Sequence, residues 1–220
     1  MQSGLELRNA TVAYSGRVVL HDIDLSVAPG ERVAVMGRSG AGKSTLLNLL
    51  YTNHAGGAAL IPQAPSLVRT LSVFHNVYMG RLDRRSTWAN LRTLARPYAR
   101  DRVDVADVLA LVGLTDKMYE QAGMLSGGQQ QRTSVARALY NGRPIVIGDE
   151  PFSALDAVQA AAILDKLVER HETLMLAMHD VRLALSFATR VIVLDRGRIA
   201  LDRGAGEVAA QDLAPFYASV

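Results

Sequence analysis

Gly37-Arg38-Ser39-Gly40-Ala41-Gly42-Lys43-Ser44, followed by Thr45, gathers three glycines, a lysine and hydroxyls into one short stretch. Backbone N–H groups of such a turn can surround an anion because no Cβ obstructs them, and a helix starting at Lys43 aims the positive end of its dipole at the same point. The spacing is that of a phosphate-binding loop, in which Lys43 bridges the β- and γ-phosphates of a nucleotide and Ser44 ligates Mg²⁺. Farther along, the apolar run Ile145-Val146-Ile147-Gly148 ends in Asp149-Glu150. With a phosphate loop upstream, Asp149 at a strand tip is the candidate to reach the metal. Glu150 is the candidate general base, polarising the water that attacks the γ-phosphate in line. Without that loop, the same acidic pair would be read as a helix cap or a solvated turn.

A third element, Leu125-Ser126-Gly127-Gly128-Gln129, opens another helix with glycines and so forms a second anion site on the chain. This pentapeptide is identical to the signature of ATP-binding cassette (ABC) ATPases, and the chain resembles that family over nearly its whole length. Other landmarks follow in the family's order: Gln63 after Ala58 to Ile61, Ser153-Ala154-Leu155-Asp156 after Glu150, and His179 after Thr173 to Met178. The resemblance implies that Gln63 touches Mg²⁺ or water and senses the membrane partner, and that His179 contacts the γ-phosphate. It implies that Tyr14 stacks on adenine, although strand packing is an equally good account of that ring. Asp156 would contact the opposing subunit, would cap the helix that follows, or both. By the same resemblance two copies pair head to tail. Ser126, Gly127, Gly128 and Gln129 of one copy then cover the ATP held by Gly37 to Thr45 of the other. The segment Leu71 to Leu82, with Ser86-Thr87 behind it, is similar to the ATPases of phosphonate-type importers.

The elements that must carry these residues can be read from periodicity. Leu5 to Val12 and Val18 to Val27 alternate apolar and polar residues, predicting an antiparallel pair before the turn at Pro29-Gly30. Arg32 to Met36 is a short strand running into the glycine loop, and Lys43 to Tyr51 is a helix. From Arg81 to Ala122 helical stretches with charged faces take over, such as Asp104 to Val112. Strands then return at Ile145 to Ile147, Thr173 to Met178, Arg190 to Leu194 and Arg198 to Leu201, with helices over Asp156 to His171 and Asp180 to Ala188. The alternation predicts an α/β fold: a P-loop NTPase core with a mostly parallel sheet, an N-terminal antiparallel β subdomain and a helical insertion. We read one ABC ATPase domain over residues 1–220, with 1–80 and 140–220 as nucleotide-binding core and 81–139 as the helical subdomain bearing the signature.

Composition bounds the partners. Twenty-four basic against 21 acidic residues leave a net charge of only +3, too little to make nucleic acid or an anionic membrane the default partner. The arginines 81, 84, 85, 92, 96 and 100 read as a solvated helical face rather than a nucleic-acid patch, since only Trp88 and Tyr98 accompany them. Zero cysteines exclude disulfides and thiolate metal sites. No secretory signal is expected at the N-terminus, and no apolar run reaches the ~18 residues of a membrane span. The expectation is a cytoplasmic, homodimeric ATPase on the inner face of the cell membrane, using ATP and Mg²⁺. Its partners would be a polytopic permease and a solute-binding protein, with no nucleic acid. The alternative is a soluble ABC ATPase acting on nucleic acid or ribosomes. Two departures from the family stand out. Gly148 occupies the position of a large apolar residue, which should slightly weaken its strand. Only twenty residues separate Lys43 from Gln63. After a helix and a core strand that interval leaves no room for a further hairpin, so the antiparallel sheet should be shortened.

Overall fold

The computed structural model describes residues 4–216. It divides into two compact units, one formed by Met1–Gln63, Arg143–Pro151 and His171–Val220, the other by Ala64–Gly142 and Phe152–Arg170.

In the first unit, β1 (Leu5–Tyr14) and β2 (Arg17–Val27) form a two-stranded antiparallel sheet. Their inward residues Leu5, Leu7, Leu20, Ile23, Leu25 and Val27 are buried, as the alternating pattern requires. Irregular pairing beyond Leu7 coincides with positive φ at Asn9 and Asp22, each an interruption that the period-two pattern does not reveal. β3 (Arg32–Met36) is apolar without alternation because both faces are covered, Val33 to Met36 being wholly buried. α1 (Lys43–His54) turns Leu46, Leu47 and Leu50 into the core. Ala55 to Gly57 close the turn, with the Gly57 N–H donating to the His54 carbonyl at 2.8 Å, and β4 (Ala58–Ile61) begins at once. Among the described residues no extra hairpin lies between α1 and β4, so the antiparallel sheet is as short as the spacing predicts.

The second unit contains α2 (Val73–Tyr78), α3 (Thr87–Ala95), α4 (Ala99–Leu111) and α5 (Gly127–Asn141). Helical structure thus starts at Val73, ahead of the Arg81 expected from sequence. Ser72 caps α2, accepting from the His75 N–H, in a six-residue helix too short to display a 3.6-residue period. Fully buried Asn76 fastens the preceding loop, donating to the Val68 and Ser72 carbonyls and accepting from the Val68 N–H. Asp101 on α4 is 1% exposed and pairs with Arg85 at 2.6 Å.

β5 (Ile145–Asp149) returns to the first unit, α6 (Ala157–Arg170) belongs to the second, and β6 (Thr173–Ala177), α7 (Val181–Phe187), β7 (Arg190–Asp195), β8 (Arg198–Gly204) and α8 (Ala210–Leu213) complete the first. The six-stranded sheet runs β4-β5-β6-β3-β7-β8, parallel except for β8. Leu25, Val35, Leu47, Ile147, Met175 and Ile192 share one core, which joins the small sheet and α1 to the large sheet. Gly148, read from sequence as a slight weakness in β5, sits where neighbouring side chains leave no room for a larger residue. A Cβ there would lie 2.7 Å from Leu176 Cδ2 on the neighbouring strand, so the space of a larger residue is filled by Leu176 and Pro151. No helix among the described residues is long and apolar enough to cross a membrane.

Candidate functional site

The parallel strands β3 and β5 end at the same edge of the sheet, where ligands bind in open α/β folds. β3 runs into the glycine loop, whose Gly37, Gly40 and Gly42 all have positive φ. At Gly42 the requirement is doubled, since φ is 107° and a Cβ would lie 2.8 Å from Leu20 Cδ2. Gly42 is also the N-cap of α1 and supplies no side-chain cap, and the first helical bond is made by the Leu46 N–H to the Gly42 carbonyl. The amides of Lys43, Ser44 and Thr45 precede that bond and have no acceptor within the helix, which makes them donors for a phosphate.

Lys43 is 4% exposed, and its Nζ donates to the carbonyls of Gly37 at 2.8 Å and Arg38 at 3.3 Å. Burial lowers its pKa, with Glu150 and Asp149 opposing the shift. Asp149, 7% exposed at the end of β5, has its pKa raised by burial, against a hydrogen bond from Ser44. Its Oδ1 is buried with no hydrogen-bond partner. Glu150 stands just beyond the strand at a φ of 49°, and the Ala177 carbonyl fixes its N–H at 3.1 Å. Its carboxylate is gripped on both sides: His179 Nε2–H donates to Oε1 at 2.6 Å, and Gln63 Nε2 to Oε2 at 3.4 Å. Ser39, Gly40, Lys43, Ser44, Gln63 and Glu150 line a cleft of about 180 Å³. That is below the ~300–1,000 Å³ of a whole small-molecule pocket, so the cleft suits a polyphosphate with the rest of its ligand outside.

One site therefore gathers Gly37 to Thr45, Gln63, Asp149, Glu150 and His179 from the distant parts of the sequence in which they were found. Val19 on β2 also lines the cleft, and nothing in an alternating strand singles it out. Tyr14 lies at the turn end of the β1–β2 hairpin, paired with Arg17, 58% exposed and outside the cleft lining. The signature residues occur in the second unit. Ser126 caps α5 by accepting from the Gln129 N–H, while the Gln129 side chain accepts from the Ser126 N–H, a reciprocal capping box. Gly128 is needed there because a Cβ would come within 2.9 Å of the Ala154 carbonyl oxygen. Asp156 caps α6, accepting from the Gln159 N–H at 2.9 Å.

The sequence model of a family described as ABC transporter matches residues 20–153. The chain is 37% identical to a phosphonates import ATP-binding protein, PhnC 1, of Pseudomonas savastanoi, over 99% of this chain and 91% of that protein. It is 39% identical to an aliphatic sulfonates import ATP-binding protein, SsuB, of Cupriavidus necator, over 90% of this chain and 68% of that one. Among solved structures, a bacterial ABC transporter cassette in a dimeric structure superposes with a TM-score of 0.80 at 26% identity, covering 91% of this chain and 98% of that one.

Proposed function

The chain belongs to the ABC transporter family as an ATP-binding, ATP-hydrolysing subunit of an import system, and from that premise we propose that it energises the import of a small polar or phosphonate-like solute by hydrolysing ATP at the cleft around Lys43. The observation that carries the site reading is the carboxylate of Glu150, held by His179 and Gln63 in the cleft that Lys43 and Ser44 also line. The amides of residues 43 to 45 and the Lys43 ammonium hold the β- and γ-phosphates. Glu150 takes the proton of the attacking water, His179 orients Glu150 and meets the γ-phosphate, and Gln63 fixes the water. Tyr14 stacks on the adenine that projects from the cleft.

Ser44, Asp149 and Gln63 fit Mg²⁺ as hard oxygen ligands: the buried Asp149 Oδ1 lacks a protein partner, and the Ser44 hydroxyl lies against the same carboxylate. When bound, the ion supplies positive charge against the phosphate oxygens. Ser126 and the Gly127, Gly128 and Gln129 amides act on the nucleotide of a second copy. Each of the two composite sites then needs both chains, and ATP closes the dimer that hydrolysis reopens. A polytopic permease receives this movement at the cytoplasmic face of the membrane, with a solute-binding protein delivering the phosphonate-like solute.

Mixing Lys43→Ala and Ser126→Arg chains tests the arrangement. Each variant alone lacks an intact composite site, whereas the mixed dimer has one of wild-type composition. Part of the ATPase activity should return on mixing, and full activity of Ser126→Arg alone would refute action in trans. Purification from membranes should also recover a polytopic polypeptide with the chain.

A further inference from the structure

Behind the phosphate loop lies a contact that hydrolysis as described does not use. β7 and β8 are joined by a two-residue turn, Asp195 pairing with Arg198 across Arg196-Gly197. Both turn residues have positive φ, 46° and 76°, the combination that matches hairpin twist. The Gly197 carbonyl accepts from the His21 N–H on β2 at 2.9 Å, and the Gly197 N–H donates to the carbonyl of Ala41, inside the phosphate loop, at 3.0 Å. No side chain fits here, because a Cβ at 197 would be driven into the Val19 carbonyl oxygen and would lie 3.0 Å from the His21 ring. Ala41 itself is 5% exposed.

A trans peptide carries its C=O and the following N–H on opposite sides. With the Ala41 carbonyl drawn toward Gly197, the Gly42 N–H is directed the other way, and Gly42 lines the cleft. Flipping that peptide rotates ψ of Ala41 together with φ of Gly42, and it would turn a carbonyl oxygen toward the bound phosphate. Glycine offers the least steric resistance to such a rotation. The residue that lets the loop approach a phosphate therefore leaves this peptide dependent on a hold from elsewhere. We propose that Gly197 is a positioning residue for nucleotide binding, its N–H locking the Ala41–Gly42 peptide with the Gly42 donor inward. The proposal rests on the nucleotide-binding reading of the cleft.

Gly197→Ala would confound the test by forcing a Cβ against Val19, so the change to make is Gly197→glycolate, a backbone ester that removes the N–H and adds no atom to the Cα. In the full-length chain, the Kd for Mg-ATP should rise about tenfold, the scale of one lost charge-assisted hydrogen bond. The kcat at saturating ATP should stay within about twofold and adenosine binding should be unchanged. Addition of inorganic pyrophosphate should shift the Gly42 amide resonance strongly in the parent and weakly in the ester. An ester that binds Mg-ATP as the parent does, or that loses kcat at unchanged Kd, overturns the lock and leaves the nucleotide site standing. A parent that binds no Mg-ATP overturns both.

Discussion

Replacing Glu150 with Gln separates its role in chemistry from its role in structure. The amide has the shape of the carboxylate, and its oxygen can still accept from His179 Nε2–H at the position now 2.6 Å away. What the fold loses is the 3.4 Å bond from Gln63, which would face an amide nitrogen instead. That bond is long and lies in an open cleft, so the loss is under about 1 kcal/mol. Glu150→Gln should accordingly unfold within a few degrees of the parent. Chemistry is affected far more, since an amide cannot take a proton from water. General-base catalysis contributes roughly 10²–10⁴ in rate, which is about 2.7–5.5 kcal/mol of barrier. Single-turnover hydrolysis, paired with calorimetric titration of Mg-ATP, should show kcat reduced by that factor while ATP binds at least as tightly, because an anion beside the phosphates is gone. Size-exclusion chromatography with Mg-ATP should show an accumulated dimer. A folded variant that binds ATP and hydrolyses it within about tenfold of the parent rate would remove Glu150 from the role of base.

Asp149 carries a raised pKa because of burial, so in metal-free protein its ionised form destabilises the fold above the raised pKa, and that penalty disappears as pH falls below the ordinary aspartate value of 3.8. Asp149→Asn should therefore melt a few degrees above the parent at pH 7 in EDTA, with the gap closing toward pH 3.5; a parent that melts higher at pH 7 contradicts this. Gly148→Val should cost about 1–3 kcal/mol through collision with Leu176, and adding Leu176→Ala should restore much of it in denaturant titrations; additive losses would mean that the two sites do not share that space. Arg85→Met should destabilise by about 3 kcal/mol by leaving the Asp101 carboxylate buried without its partner, and Asp101→Asn in the same chain should recover most of the loss; no recovery would place the cost elsewhere than the orphaned charge.

The chemistry was legible wherever a function needs a fixed run of residues. Gly37 to Ser44 is read from its local spacing, whereas Asp149-Glu150 takes its meaning from that loop upstream and Leu125 to Gln129 from its identity to the family signature. The twenty-residue interval from Lys43 to Gln63 was equally informative, since chain length alone forbids a hairpin there. Long-range packing was not legible. Gly148 looks like a weakness until the Leu176 side chain is seen in the space it leaves. Val19 reaches the cleft because β2 passes against Gly42 of the loop, a fact of tertiary structure. Asp156 was compatible with two roles, and the structure displays the cap. α2 was missed because six residues span less than two helical turns, too few for periodicity to register.

The first unit is assembled from three separated lengths of chain, and this bears on how the protein is made. β3, which delivers the phosphate loop, finds its two neighbours only at Leu174 on β6 and Arg190 on β7. A ribosome adding about 5–20 residues per second emits Arg32 about 7–28 s before Leu174, the first of these neighbours. Throughout that interval the nascent β3 has no strand to pair with, and its apolar run needs shielding from other nascent chains. The hairpin β1–β2 can close at once, but the strand that delivers the phosphate loop is flanked on both sides only after β7 has emerged. A chain terminated before β7 leaves β3 without one of its two neighbours and should be degraded faster than one that includes it.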